Sequence, residues 1–273
     1  MKNNKSLGQN WLKNRLILDD IADMASGEQS FFEGVRLGLA PRSAPEKKAL
    51  RTTPAICLEI GPGLGTLTSS LLKRFDKVIA VEFDKNLANN LPKSFPGKNL
   101  EVINQDILKF DFSQISEPYA VAGNIPYYIT SPIIEKLLTT DNKPIKIVLL
   151  IQKEVAERIA DDRETVLSLF VKNYVKIELG PVVKREEFTP PPKVDSQVII
   201  LTPYAQPQID SQIFKLIKLG FLNPRKKLLA NLATLKSRDD LKQIFAQLDI
   251  SENARPADLH LDKWSELSHA LKS

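Results

Sequence analysis

Between Ala55 and Gly65 the chain runs Ala-Ile-Cys-Leu-Glu-Ile and then Gly-Pro-Gly-Leu-Gly, and Thr66 to Lys73 continues in helical spacing. A short, nearly unbroken apolar run that ends in glycines and leads into a helix reads as a strand buried on both faces, entering a crossover. That order points to an α/β sheet of parallel strands. Glycines let the backbone approach a ligand closely, and the following helix turns its amino end toward it. The turn is G-x-G-x-G, however, not the pyrophosphate-binding G-x-G-x-x-G, and it lacks the Lys-Ser/Thr of a phosphate loop.

Two further strand ends give the glycine turn its meaning. Val78 to Val81 is apolar and ends at Glu82, 21 positions after Gly61, about the ~20 expected for a carboxylate that reaches ribose hydroxyls. Glu101 to Asn104 then ends at Asp106, an acid able to accept from an adenine amino group. Each acid could be a helix cap or a solvated strand end. Gly61, Glu82 and Asp106 at one edge of one sheet favour a nucleoside pocket.

Beside it comes Ala122-Gly123-Asn124-Ile125-Pro126-Tyr127-Tyr128. Val121 and Ala122 close a buried strand, and Pro126 fixes its own φ and pushes Ile125 extended. Asn124 therefore stands at a strand's carboxyl end, where open α/β sheets bind ligands. Its side-chain oxygen and a backbone carbonyl of the turn can accept both hydrogens of an amino group, while Tyr127 offers a face for a planar base. Taken alone this is an Asn-Pro turn with a core tyrosine; next to a nucleoside pocket it is a site for an aromatic amine. Adenosine plus an acceptor amine suggests methyl transfer from S-adenosylmethionine, a cofactor without phosphate. Hydride transfer with a nicotinamide cofactor is the other reading these residues allow.

Composition narrows the field. The 273 residues suit one large α/β domain with a small appendage, and no apolar run approaches the ~20 residues that span a bilayer, so no membrane role is expected. The first ten residues carry lysines without an apolar segment, which predicts a cytoplasmic chain. Cys57 is the single cysteine and falls in an apolar strand, where it reads as a small buried hydrophobe; the two histidines, His260 and His269, lie near the carboxyl end, so no metal site is expected. The net charge of +5 leans weakly toward a polyanionic partner.

Five blocks, Ser6-Leu7-Gly8-Gln9-Asn10-Trp11-Leu12, Leu58-Glu59-Ile60-Gly61-Pro62-Gly63, Asn124-Ile125-Pro126-Tyr127-Tyr128-Ile129, Ile151-Gln152-Lys153-Glu154-Val155-Ala156-Glu157-Arg158 and Phe188-Thr189-Pro190-Pro191-Pro192-Lys193-Val194-Asp195-Ser196, resemble the ribosomal RNA adenine dimethyltransferases, in that family's order. The resemblance implies a Rossmann-like class I S-adenosylmethionine-dependent methyltransferase sheet followed by a small all-helical domain. It implies cofactor contacts at Gln9, Asn10, Leu12, Gly61, Gly63, Glu82, Asp106 and Asn124, and catalysis at Asn124, Pro126 and Tyr127. It also implies that Phe188 and Tyr127 wall the target base, and that a monomer acts on ribosomal RNA or the small ribosomal subunit. The expected reaction is dimethylation of the exocyclic amine of adenines in small-subunit (16S) RNA, tied to ribosome biogenesis. The Pro-Pro-Pro-Lys-Val-Asp-Ser form favours this over the large-subunit enzymes of macrolide resistance, where Asn is common at the place of Asp195. A non-catalytic assembly factor on the same fold is the competing class. Gln105, where the family usually has Gly, and the short Asp162-Arg163-Glu164-Thr165 segment depart from its pattern.

The domains are expected at 1–203, with a surface insertion at 26–53 rich in Gly, Pro and basic residues, and at 204–273. An amino-terminal helix is expected through Ile17, Ile21 and Met24, a fifth strand over Lys146 to Gln152, a helix over Lys153 to Ala160, and strands over Tyr174 to Leu179 and Gln197 to Thr202. In the second domain Arg225-Lys226-Lys227 is expected to open a helix. It resembles the family's basic cluster and is the expected RNA contact, although a solvated helix face would look the same.

Overall fold

The computed structural model describes residues 9–27 and 54–272. From residue 28 onward the expected insertion lies outside the described residues, as do Ser6, Leu7 and Gly8 of the amino-terminal arm. The strands are β1 (Trp11–Leu12), β2 (Ile56–Ile60), β3 (Lys77–Glu82), β4 (Leu100–Asn104), β5 (Tyr119–Asn124), β6 (Lys146–Gln152), β7 (Val175–Val183), β8 (Phe188–Thr189) and β9 (Ser196–Pro203). Seven of them form one sheet in the order β4-β3-β2-β5-β6-β9-β7, while β1 and β8 pair separately.

The neighbours from β4 to β6 are parallel, and β9 returns antiparallel to β6. All five residues of β2 are buried, as the unbroken apolar run requires of a strand covered on both faces. Strand order reverses between β2 and β5, so a crevice opens there at the carboxyl ends. The register sets Ile60 against both Val81 and Gly123, and Glu82 against Asn104, bringing these strand ends into one row.

The amino-terminal helix, Arg15–Ser26, is capped by the Asn14 side chain, which accepts from Leu16 N and Ile17 N, and ends at Gly27 with φ 80°. Its apolar face (Ile17, Leu18, Ile21, Ala22, Ala25) joins Cys57, Val78, Ala120 and Val148 in one core. Cys57 is fully buried there, and burial pushes its thiol well up, out of reach of redox or nucleophilic work.

Several bounds differ from the sequence reading. The glycine turn's helix is Thr66–Leu71, two residues shorter than expected. Strand β7 runs on through Gly180 and Pro181 to Val183, past the expected end at Leu179. Gly180 is a close approach, since a Cβ there would lie 2.9 Å from Val198 Cβ on β9. Arg225, Lys226 and Lys227 precede the helix they were expected to open, which is Leu228–Leu232 with Lys227 at its amino cap.

The described chain divides into two compact units, one reaching to Ala156 and including Ile177–Pro203, the other holding Glu157–Lys176 and the chain from Tyr204. Residues 157–176, which fall inside the expected 1–203 domain, go with the helical unit. Their helix, Val166–Tyr174, contributes Leu169 to the core that Ile213, Ile217, Leu228, Leu232, Phe245 and Trp264 build. Glu164, from the segment that departs from the family pattern, is buried and accepts from Ser168 Oγ at 2.7 Å, Lys172 Nζ at 2.8 Å and His260 Nδ1 at 3.0 Å. A buried carboxylate so paired fixes the first turn of that helix to the chain near residue 260.

Candidate active site

The glycine turn leaves β2 with Gly61, Gly63 and Gly65 all at positive φ, 65°, 58° and 83°, a conformation other residues adopt with strain. At Gly61 a Cβ would meet nothing within 4 Å, so this backbone stands open to the crevice. Gly63 is also held by space: a Cβ there would sit 2.9 Å from Trp11 Nε1.

Glu82, at the end of β3, is only 6% exposed. Its Oε2 accepts from Gly63 N at 3.0 Å and its Oε1 from Asp84 N at 2.8 Å, so the acid ties the glycine turn to the next strand. Burial raises its pKa, opposed by those backbone N–H groups. Each oxygen keeps a lone pair. Asp106 follows β4, and its Oδ1 accepts from Leu108 N at 2.9 Å. It is thus a cap for a short 3-10 turn, one of the plainer roles its sequence position allowed, with Oδ2 left over.

At the end of β5, Asn124 Nδ2 donates to the Asn10 carbonyl at 2.9 Å. A carbonyl can only accept, so this bond fixes which way the amide faces and leaves Oδ1 for other work. Pro126 has φ −60° and ψ 134°, and its carbonyl accepts from Ile129 N at 3.2 Å, closing a 3-10 turn over Tyr127–Ile129. The Tyr127 hydroxyl lies 2.7 Å from Ser196 Oγ, and burial raises its pKa.

One cavity of about 260 Å³ joins these groups. Gln9, Asn10, Leu12, Gly61, Gly63, Glu82, Asp106, Asn124, Pro126 and Tyr127 all line it, and Gln105 with them. Phe188 does not: it is 1% exposed, paired with Leu12 across the small β1–β8 sheet, and belongs to the core. Arg225, Lys226 and Lys227 are exposed in the helical unit.

Two lining residues were not singled out in the sequence. Phe83, next to Glu82, is 64% exposed and lines the cavity. Glu59, in the buried strand β2, is 1% exposed, and its Oε2 has no hydrogen-bond partner among the described residues. Burial pushes its pKa up to about 8, with the Thr68 hydroxyl opposing and Glu82 adding to the rise. The signal was available, since a carboxylate inside an apolar strand has to be explained. The described lining holds three carboxyl groups, Glu59, Glu82 and Asp106, and no Lys or Arg.

A mostly parallel sheet with its ligand crevice at the switch point, acids on successive strand ends, no cation in the described cavity wall and an amide-tyrosine turn alongside defines a Rossmann-like methyltransferase. The model of the ribosomal RNA adenine dimethylase family matches residues 1–273, and the chain belongs to that family. A ribosomal RNA small subunit methyltransferase A from Fusobacterium nucleatum is 40% identical over 221 residues, 77% of this chain and 84% of the relative. Its counterpart from Synechocystis is 38% identical over 98% of this chain and 95% of its own. Among solved structures, the 23S rRNA methyltransferase ErmE superposes with a TM-score of 0.73 at 26% identity, covering 96% of this chain and all of its own. A dimethyladenosine transferase from Plasmodium falciparum gives 0.73 at 28%, covering 94% and 95%.

Proposed function

We propose that this chain dimethylates the exocyclic amine of adenines in small-subunit (16S) ribosomal RNA, with S-adenosylmethionine as methyl donor, as a monomer in the cytoplasm during ribosome biogenesis. The observation that carries the reading is Asn124, turned by the Asn10 carbonyl so that its amide oxygen is the acceptor left at the switch point. Relatives named for the small subunit favour that substrate over large-subunit RNA.

The cavity's chemistry fits the donor. Glu82 and Asp106, with no Lys or Arg in the described wall, suit a cationic, phosphate-free nucleoside and disfavour the pyrophosphate of a nicotinamide dinucleotide. Gly61 offers open backbone, the lone pairs left on Glu82 suit ribose hydroxyls, Asp106 Oδ2 suits the adenine amino group, and the exposed Phe83 ring gives the adenine a face. Gln9, Asn10, Leu12 and Gly63 complete the wall.

When bound, S-adenosylmethionine supplies a methyl group on a cationic sulfur; the nitrogen–carbon bond forms as the sulfur–carbon bond breaks, and the bonding pair returns to sulfur. The obstacle is that the adenine amine's lone pair is delocalised into the ring. Asn124 Oδ1 and the Ile125 carbonyl accept its two hydrogens and favour the pyramidal nitrogen on which positive charge develops. Tyr127 stacks the base, Pro126 fixes the turn that sets both, and the displaced N–H proton passes to water. No covalent enzyme intermediate is needed.

The test is to incubate the protein with S-adenosylmethionine and small ribosomal subunits that lack the modification, then digest the RNA for mass spectrometry. Dimethyladenosine in the small-subunit RNA is expected. Binding to subunits without any methylated adenosine would instead support an assembly factor, and methylation of large-subunit RNA alone would support the other branch.

A further inference from the structure

Tyr127 stands on a three-residue 3-10 turn, a weak local support for a side chain with two soft torsions. Its neighbour Tyr128, on the same turn, is 64% exposed. What sets Tyr127 apart is its far end, where the hydroxyl meets Ser196 Oγ at 2.7 Å. Ser196 is fully buried and starts β9 directly opposite Gln152, the last residue of β6. The residue before it, Asp195, is tied down by three hydrogen bonds. The Asp195 carbonyl accepts from Lys153 N at 3.0 Å, and the Asp195 carboxylate accepts from Lys184 Nζ at 2.9 Å and Arg185 N at 3.1 Å. The serine hydroxyl is thus a fixed point of the sheet, and the tyrosine a ring on a short turn.

We propose that Ser196 is a positioning residue for methyl transfer: its hydroxyl holds the Tyr127 ring in the orientation at which the target adenine stacks. The proposal rests on the reading of Tyr127 as the base's platform. The chemistry suits the task, because a phenol's hydrogen bond lies in the plane of its ring. An anchor there restrains both torsions and leaves the π faces for a base. Ser196 is fully buried, so water is no substitute for Tyr127 at its hydroxyl, and among the described residues each hydroxyl makes its one side-chain hydrogen bond to the other. A ring prepared in this way need not be immobilised when the base arrives, and alignment of the nitrogen with the donor then follows from the turn.

The experiment compares wild type with Ser196→Ala, Tyr127→Phe, the double variant and Tyr127→Ala. The readouts are single-turnover methylation of unmodified small subunits at saturating subunit and cofactor, the subunit KM, and S-adenosylhomocysteine affinity by calorimetry. Ser196→Ala and Tyr127→Phe are each expected to slow the saturated rate by roughly 3- to 10-fold, the size of one lost hydrogen bond. The double variant should be no slower than the worse single one, and cofactor affinity should stay at the wild-type value. Tyr127→Phe probes the same bond from its partly exposed partner, so a folding defect in Ser196→Ala does not remove the test. A wild-type rate in both Ser196→Ala and Tyr127→Phe, with Tyr127→Ala impaired, overturns the proposal and leaves the platform intact. So do losses that multiply in the double variant, which would mean that Ser196 acts through the strand and not through Tyr127. A wild-type rate in Tyr127→Ala overturns the platform itself, and the proposal with it.

Discussion

On the β2–β4 side of the cavity, side chains are held by nearby backbone: Glu82 by the N–H groups of Gly63 and Asp84, 19 and 2 residues away, and Asp106 by that of Leu108, 2 residues on. On the β5 side, Asn124 is oriented by Asn10, 114 residues away, and Tyr127 by Ser196, 69 away. The first half is set by turn geometry and strand register, which the sheet supplies once it forms. The second exists only when the amino-terminal arm and β9 have both closed on the β5 turn. Substitutions in the two halves should therefore fail differently, the first in stability and cofactor affinity, the second in rate.

The largest effect expected is on stability, in the first half. Glu59 has its pKa raised to about 8 by burial, against an ordinary value of 4.5. In the ligand-free protein the folded state therefore holds a proton that the unfolded chain releases, so this contribution is present in full below about pH 4.5 and is lost as pH rises through about 8. The change is on the order of a few kcal/mol. Glu59→Gln should match wild type near pH 4.5, exceed it near pH 8 and flatten the slope between, measured by urea unfolding across that range. Parallel slopes in the two proteins would remove Glu59 as the source.

Next in size is the separation of rate from binding. Asn124→Ala removes a preorganised acceptor and should slow single-turnover methylation by on the order of 100-fold, with cofactor affinity changed far less. Glu82→Ala should show the reverse, with S-adenosylmethionine affinity weakened by roughly 1 to 3 kcal/mol as lost hydrogen bonds and a loosened glycine turn combine. If both variants lost affinity equally and kept their rate, the two halves would be one site with one role.

The same contrast explains what was legible. Sheet type, the glycine turn and the acids at the ends of β3 and β4 follow from local runs and short spacings, and the structure brings Gly61, Glu82, Asp106 and Asn124 to one cavity. The orienting bonds of Asn124 and Tyr127 could not be read, because no periodicity relates Asn10 to Asn124 or Ser196 to Tyr127. Phe188 looked like a pocket wall from its motif, yet its pairing with Leu12 in β1–β8, also a long-range fact, turns it into the core. Residues 157–176 fall inside the expected 1–203 domain, whereas Leu169 packs with Trp264 in the helical core. Glu164 is similar: in sequence it is one charge in a short polar loop, and only Lys172 and His260 make it a buried anchor.

The smallest effect should come from outside the pocket altogether, and it sharpens the comparison by leaving both halves untouched. Arg225 and Lys226 are exposed ahead of the Leu228–Leu232 helix, and no ion pair involves either side chain among the described residues. Such side chains are available to phosphate, and each phosphate contact releases condensed counterions, which makes binding fall with salt. Over residues 204–273 eleven Lys and Arg stand against eight Asp and Glu, so the unit's excess is small and two cations are a sizeable part of it. Arg225→Ala with Lys226→Ala should weaken binding to small ribosomal subunits modestly and lower the slope of log K against log salt by about 1 to 2. S-adenosylmethionine affinity should not change, nor the rate once subunits saturate. Binding titrations at several salt concentrations measure the slope directly, and an unchanged slope would take this segment off the RNA surface while leaving the Asn124 and Glu82 contrast intact.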